Sequence, residues 1–115
     1  MKIKLTSMEN QMNKNIFRAD GRYLGFIKDN FLYSRDGIYM GWLDGQFVWD
    51  KGGFFRGTMC SINGNNYILA DKYTIPPTQR TPRISESISA STPPPNIAPI
   101  TLPTGEVDAF ISPRS

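Results

Sequence analysis

Histidine is absent from the 115 residues, and Cys60 is the single cysteine. A chain without histidine has no Ser–His–Asp triad and no histidine-ligated metal site, and one cysteine cannot build a disulfide scaffold. No apolar run is long enough to span a bilayer, and no apolar stretch follows the lysines of residues 1–5, so we expect no signal peptide. These absences predict a cytoplasmic protein without membrane contact, whose lone thiol is a small buried side chain.

Proline is missing from the first 75 residues, and all nine prolines lie between Pro76 and Pro113. Nine of the ten glycines and 13 of the 14 aromatic residues come before that segment. Proline, serine and threonine supply 20 of the last 40 residues, which leaves too little apolar surface to offset the entropy of ordering them. We therefore predict a folded domain over residues 14–75, a separate N-terminal segment over 1–13, and an extended or disordered tail over 76–115 that is free to reach outward.

The net charge is only +3, from 13 basic and 10 acidic side chains. Affinity for a phosphate backbone grows with the number of clustered cations, and here lysines alternate with aspartates along the chain. This balance favours a mixed surface over a basic stripe for nucleic acid.

A repeat of 16 residues is the strongest signal in the sequence. The pattern Gly-x-Tyr/Phe-x-Gly begins at Gly21, Gly37 and Gly53, and an aromatic or apolar triplet precedes each copy. A fourth, weaker triplet is Tyr67-Ile-Leu69. Each unit is typical of a strand, a tight turn and a second strand, with Asp-Gly or Gly-Gly forming a two-residue hairpin turn. Closing four such hairpins on themselves would remove exposed aromatic edges, so we predict an all-β, closed arrangement.

Glycines also recur in the middle of each second strand, where glycine normally weakens a strand. We predict that a ring from a neighbouring strand, such as Tyr33 or Trp49, covers the bare backbone, and the alternative cause is a close approach of backbones around a central axis. The residues assigned to this structural repeat are Gly21, Gly25, Gly37, Gly41, Gly53, Gly57, Tyr33 and Trp49.

The repeated series Asp-Gly-x-Tyr-x-Gly-Phe/Trp-Ile/Leu resembles the bacterial 4-fold beta flower domain over residues 14–75. The resemblance implies four β-hairpins around a pseudo-four-fold axis, and it implies no catalytic residue. The segment from Tyr39 to Gly45 is also similar to a MORN repeat, although its following glycines are missing and the period of 16 departs from that pattern.

Three kinds of candidate site follow from the residues. Recurring aspartates at Asp20, Asp36 and Asp71, with Asp50 displaced by two positions, are either turn residues or a cation site on the axis. Aromatic residues beside arginines provide a nucleic-acid stacking face in an alternative hypothesis. The apolar end of the tail provides an anchor for a protein partner, or else it is a solvated linker end. The stacking residues are Arg22, Tyr23, Phe55 and Arg56, and the tail anchors are Val107, Phe110 and Ile111.

The predicted function is a non-enzymatic protein-interaction or assembly module, with a protein partner or a second copy and no cofactor or metal. Nucleic-acid binding and cation binding are the alternatives.

Overall fold

The computed structural model describes residues 14–72, 75–90 and 92–110, and these ranges contain eight β-strands and no helix. The all-β prediction is confirmed. Consequently no helix in these ranges is available to cross a membrane. The strands are β1 (Lys14–Phe17), β2 (Tyr23–Lys28), β3 (Phe31–Ser34), β4 (Tyr39–Asp44), β5 (Phe47–Asp50), β6 (Phe55–Ile62), β7 (Asn65–Asp71) and β8 (Glu106–Asp108).

Strands β1 to β7 form a closed barrel. Each pairs antiparallel with the next, and β1 returns to pair with β7 in parallel, with Ile16 opposite Asn66 and Phe17 opposite Tyr67. The closing pair is parallel because the first and last of seven alternating strands run in the same direction. Among the described residues closure leaves no long sheet edge, and the predicted closed arrangement is confirmed.

The Asp-Gly and Gly-Gly turns are not the predicted two-residue turns. In the first hairpin the Arg18 amide donates to the Arg22 carbonyl at 2.8 Å and the Gly21 amide donates to the Arg18 carbonyl at 2.9 Å. Three residues therefore form the loop, and the last of them, Gly21, has a φ of 91°. This geometry is a type I turn followed by a glycine in the left-handed conformation. Asp20 lies in the type I turn, just before that glycine, and has no positive φ.

The two-residue turns lie between the repeat units instead. Asp29 and Asn30 both have positive φ, of 55° and 67°, as do Asn63 and Gly64 at 53° and 83°. Two consecutive left-handed residues are the signature of a type I′ hairpin turn. Asp29-Asn30 contains no glycine, which is why the sequence pattern does not mark it.

Each of the first three hairpins contains a β-bulge at the same place. In the first, Ile16 pairs with Gly25 while the next residue, Phe17, pairs with Tyr23, so Leu24 is the extra residue. The same shift occurs at Met40 between β3 and β4 and at Arg56 between β5 and β6.

A close approach of backbones explains the mid-strand glycines, and not the covering ring that the sequence led us to predict. A Cβ on Gly25 would overlap the carbonyl oxygen of Tyr33 on the next strand, and Gly41 has the same relation to Trp49. Gly57 meets the carbonyl of Leu69 in the same way. The atoms that these glycines meet first are thus main-chain oxygens of neighbouring strands, and not the rings of Tyr33 and Trp49.

Buried aliphatic side chains fill the barrel, together with two residues from the end of the tail. The core consists of Ile16, Leu24, Ile27, Leu32, Met40, Leu43, Val48, Ile68, Ala109 and Phe110.

The tail has no helix or strand between residue 75 and β8 in the described ranges, but it is not free. It runs along the outside of the barrel and contacts the turn glycines in the reverse of their order in the sequence. Its amides donate to the glycine carbonyls in three bonds: Arg80 to Gly53 at 2.8 Å, Ile88 to Gly37 at 2.8 Å, and Ile97 to Gly21 at 2.9 Å. In these residues the tail lies against the barrel and does not reach outward. Main-chain hydrogen bonds hold the segment where its composition offers few apolar anchors.

The tail ends as part of the sheet. Strand β8 pairs antiparallel with β7, with Leu69 opposite Asp108, and the Ala109 amide donates to the Ile68 carbonyl at 2.9 Å. The chain thereby supplies β7 with a neighbour that lies far away in sequence, and Phe110, only 3% exposed, enters the core.

The tail contact makes a specific prediction for the turn glycines. Gly37 and Gly64 have φ values of 86° and 83°, but a Cβ on Gly37 would overlap the Ile88 carbonyl whereas one on Gly64 would meet no atom within 4 Å. Gly64→Ala should cost about 1–2 kcal/mol of unfolding free energy from the left-handed backbone alone. Gly37→Ala should cost about 1–3 kcal/mol more, because the tail must shift. Urea denaturation of both variants measures the difference, and equal losses would contradict the tail contact.

Candidate binding groove

Cross-strand pairing arranges three rows of side chains on the outer surface of the barrel. We define them by their cross-strand partners: row 1 is Asn15, Phe26 and Tyr33; row 2 is Phe31, Trp42 and Trp49; row 3 is Phe47, Thr58 and Leu69. In each row the middle residue directly follows a mid-strand glycine of the repeat.

Stacked aromatic rings occupy the middle of rows 1 and 2. Phe26 stacks on Tyr33 with ring centroids 5.3 Å apart, and Trp42 lies nearly parallel to Trp49 with centroids 6.4 Å apart. Phe26 is 3% exposed and Trp42 is fully buried. The rings bury large apolar areas and leave no room in the middle of either row.

The tail covers these two rows. Over row 1, Ile88 and Ala90 pack against the rings, and the Tyr33 hydroxyl shares a hydrogen bond of 3.1 Å with Ser85. Over row 2, the guanidinium of Arg80 lies 5.0 Å from the ring centroid of Trp49, and that of Arg83 lies 5.2 Å from the ring centroid of Trp42. Cation–π attraction thus holds the arginines on the indole faces.

Row 3 has an open middle. Thr58 stands where Phe26 and Trp42 stand in the other rows, and a groove of about 390 Å³ lies beside it. Phe47, at one end of the row, is 54% exposed. The groove is lined by Phe47, Phe55, Arg56, Gly57, Thr58, Leu69, Ala70, Asp71 and Pro76. Its volume is within the ~300–1,000 Å³ range of small-ligand sites.

Arg56 connects the wall of this groove to the end of the tail. It occupies the bulge position that Leu24 and Met40 fill in the other hairpins. Its guanidinium donates to the Ala109 carbonyl at 2.7 Å and lies 4.2 Å from the ring centroid of Phe110. A second cleft of about 360 Å³ beside Arg56 is lined by Met40, Asp50, Lys51, Gly52, Phe54, Arg56 and Phe110.

The residues predicted for nucleic-acid stacking do not form one face. Tyr23 is 5% exposed and packs on Phe17 with centroids 5.8 Å apart. Arg22 extends into solvent beside it, in the first hairpin, whereas Phe55 and Arg56 are half-buried in the third. Phe55 packs edge-on against Trp49 at 5.4 Å.

Two of the repeated aspartates, Asp20 and Asp50, cap turns with their carboxylates. Asp20 accepts the Arg22 amide at 3.0 Å, and Asp50 accepts the amides of Gly52 and Phe54 at 2.9 and 3.0 Å. Within the described ranges, no three carboxylate, thiol or imidazole groups come together in a cluster suited to a metal ion. Asp20 and Asp50 are thus turn residues, Asp36 is an exposed residue of the second turn, and Asp71 ends strand β7.

Cys60 is half-buried, and burial, with a smaller contribution from Glu106, raises the pKa of its thiol. The thiol remains protonated at neutral pH and is therefore a poor nucleophile.

The predicted tail anchors have different environments. Phe110 is in the core and so holds the chain's own tail, which removes it as an exposed anchor for a partner. Val107, on β8, is 39% exposed, and Ile111 lies outside the described residues.

The groove was not predicted from the sequence, although the sequence contains a pattern that indicates it. The residue after the mid-strand glycine is Phe26 in the first repeat, Trp42 in the second and Thr58 in the third. The missing ring in the third repeat corresponds to the groove in row 3.

Asp108 fastens β8 to the first hairpin by accepting the Ala19 amide at 3.0 Å. Burial raises the pKa of this carboxyl above its usual value, and the Ala19 hydrogen bond and the Arg18 charge oppose that rise.

Removing the Phe110 ring tests its role as the tail's own anchor. Phe110→Ala should lower the unfolding free energy by about 3–5 kcal/mol, because it empties a core position. Val107→Ala, a control on the exposed side of β8, should change it by less than about 0.5 kcal/mol. Equal unfolding midpoints for the two variants in urea would contradict the assignment.

The pH dependence of stability tests the environment of Asp108. Because its folded pKa is raised, the folded chain binds this proton more tightly, so the carboxyl's contribution to stability grows as the pH falls through the raised pKa and diminishes as the pH rises. Asp108→Asn should therefore gain stability relative to the native chain at pH 7, and the gain should shrink toward pH 4. Urea unfolding across that range, with the exposed Asp36→Asn as charge control, measures the trend. A gain that increases toward low pH would contradict it.

The model of the family described as 4-fold beta flower protein matches residues 6–107. Comparison with curated proteins and with solved structures finds no match. The match extends well beyond the repeat and includes the tail as far as β8. The chain therefore belongs to the 4-fold beta flower family.

Proposed function

We propose that this protein is a non-enzymatic, cytoplasmic interaction or assembly module whose barrel binds extended polypeptide on its outer surface. One observation carries the proposal: the barrel already holds an extended, proline-rich chain, its own tail, by hydrogen bonds at three equivalent turns.

The mode of binding depends on the peptide backbone more than on its sequence. At each turn the glycine carbonyl accepts a tail amide, and the missing Cβ lets the tail carbonyl lie against the glycine. Side chains then add affinity by covering the aromatic rows. In our proposal four antiparallel strand pairs are arranged about a pseudo-four-fold axis. The tail binds at the turns of three of these pairs, which contain Gly53, Gly37 and Gly21.

A partner would bind the apolar surface that the tail leaves uncovered. Ile38, Phe47 and Phe54 are 48%, 54% and 53% exposed, and all three belong to the second and third hairpins. Contiguous exposed apolar groups mark interaction surfaces, and the exposed Phe47 ring contacts that of Phe55 with centroids 6.0 Å apart. A protein partner or a second copy fits this surface. The residues suggested for nucleic acid lie in two different hairpins, and the aspartates Asp20 and Asp50 cap turns, so we do not carry those functions forward.

Selection of random displayed peptides on the full-length chain tests the proposal. We expect enrichment of peptides whose binding falls at least tenfold in Phe47→Ser, since that change removes an exposed wall of row 3. Ile84→Ser is the matched control, because Ile84 is 91% exposed in the tail and contributes nothing to the groove wall. Failure to enrich any peptide, or binding that Phe47→Ser leaves intact, would contradict the proposal.

A further inference from the structure

We infer that the row 3 groove binds an aromatic side chain carried by an extended partner polypeptide. The inference rests on the proposed function and specifies the chemistry of its ligand.

The first argument is the molecule's own repetition. In rows 1 and 2 the middle position holds a ring, and that ring stacks on the facing aromatic residue at 5.3 Å in one row and 6.4 Å in the other. Row 3 has the same pairing register, with Thr58 opposite Phe47 on one side and Leu69 on the other. The groove therefore lies beside the position where the chain supplies a ring in two rows and a threonine in the third.

The second argument is the wall of the groove. Phe47 and Phe55 meet edge to face, with centroids 6.0 Å apart, and Leu69 and Pro76 supply aliphatic surface. Rings prefer offset or edge-to-face contacts with other rings, worth about 0.5–1.5 kcal/mol beyond the area they bury. The wall thus combines two aromatic rings with aliphatic surface, beside the polar side chains of Arg56, Thr58 and Asp71, and the rings favour an aromatic occupant over an aliphatic one.

The third argument is continuity with the surface that already binds the tail. Pro76 lines the groove, and from there the tail continues to Gly53 and covers row 2 and then row 1. The groove is thus the start of the path along which this barrel holds an extended chain. A partner segment lying over row 3 would extend that path, with its aromatic side chain in the open position.

The experiment uses N-acetyl-tryptophanamide as the probe and N-acetyl-leucinamide as its aliphatic control, each titrated into the full-length chain. We expect saturable amide shifts at Gly57, Thr58 and Leu69 with the tryptophan probe, and binding at least tenfold weaker for the leucine probe. Thr58→Trp reproduces the arrangement at Trp42 and should abolish the shifts, whereas Thr58→Ser should preserve them. If Thr58→Trp does not fold, Phe47→Ala decides, with an expected loss of at least fivefold in affinity.

Equal affinity for the two probes, or tryptophan binding that survives both Thr58→Trp and Phe47→Ala, would overturn the inference. The peptide selection separates this failure from failure of the proposed function. Peptides that compete for the groove without needing an aromatic residue would overturn the inference and leave the proposed function standing. A tryptophan probe that binds while no peptide is enriched would refute the proposed function and retain the groove's preference for an aromatic group.

Discussion

The contact between a mid-strand glycine and a carbonyl of the adjacent strand is the constraint on which this fold depends. A side chain at Gly25, Gly41 or Gly57 would overlap main-chain atoms of the next unit, so each unit can dock on its neighbour only through bare backbone. The bulge beside each glycine changes which residues face inward and turns Leu24 and Met40 into the core. The glycine–carbonyl contact and its bulge occur three times, and the resulting arrangement brings β7 beside β1, with which it pairs.

The tail adds buried surface and one strand to the barrel that the repeat forms. A barrel of about 60 residues buries only ~60% of its unfolded surface and is marginal by itself. Here the chain adds a strand to β7, inserts Phe110 into the core and covers the rings of rows 1 and 2. Proline has little side-chain entropy to lose on ordering, so a proline-rich segment is held at low entropic cost once its amides have acceptors. The turn glycines present those acceptors in a regular series.

The sequence allowed the repeat, the all-β class and closure to be predicted because all three follow from local periodicity and from the need to avoid aromatic edges. The path of the tail was not predictable in the same way. Its partners are carbonyl groups of Gly21, Gly37 and Gly53, and the composition of a segment does not indicate which main-chain acceptors it will meet. Phe110 was predicted as an anchor for a protein partner, but it lies in the chain's own core. The groove required comparing Thr58 with its equivalents in register, and the bulges that define this register are not visible in the sequence.

Backbone order parameters from ¹⁵N relaxation of the full-length chain test the central claim most directly, since that claim is that the tail is a structural part of the barrel. The amides of Arg80, Ile88 and Ile97 should have order parameters near ~0.85, matching those of the barrel strands, because each donates a hydrogen bond to a turn glycine. Values below ~0.6 at these three amides, beside rigid strands, would show that the tail moves freely and would contradict the account.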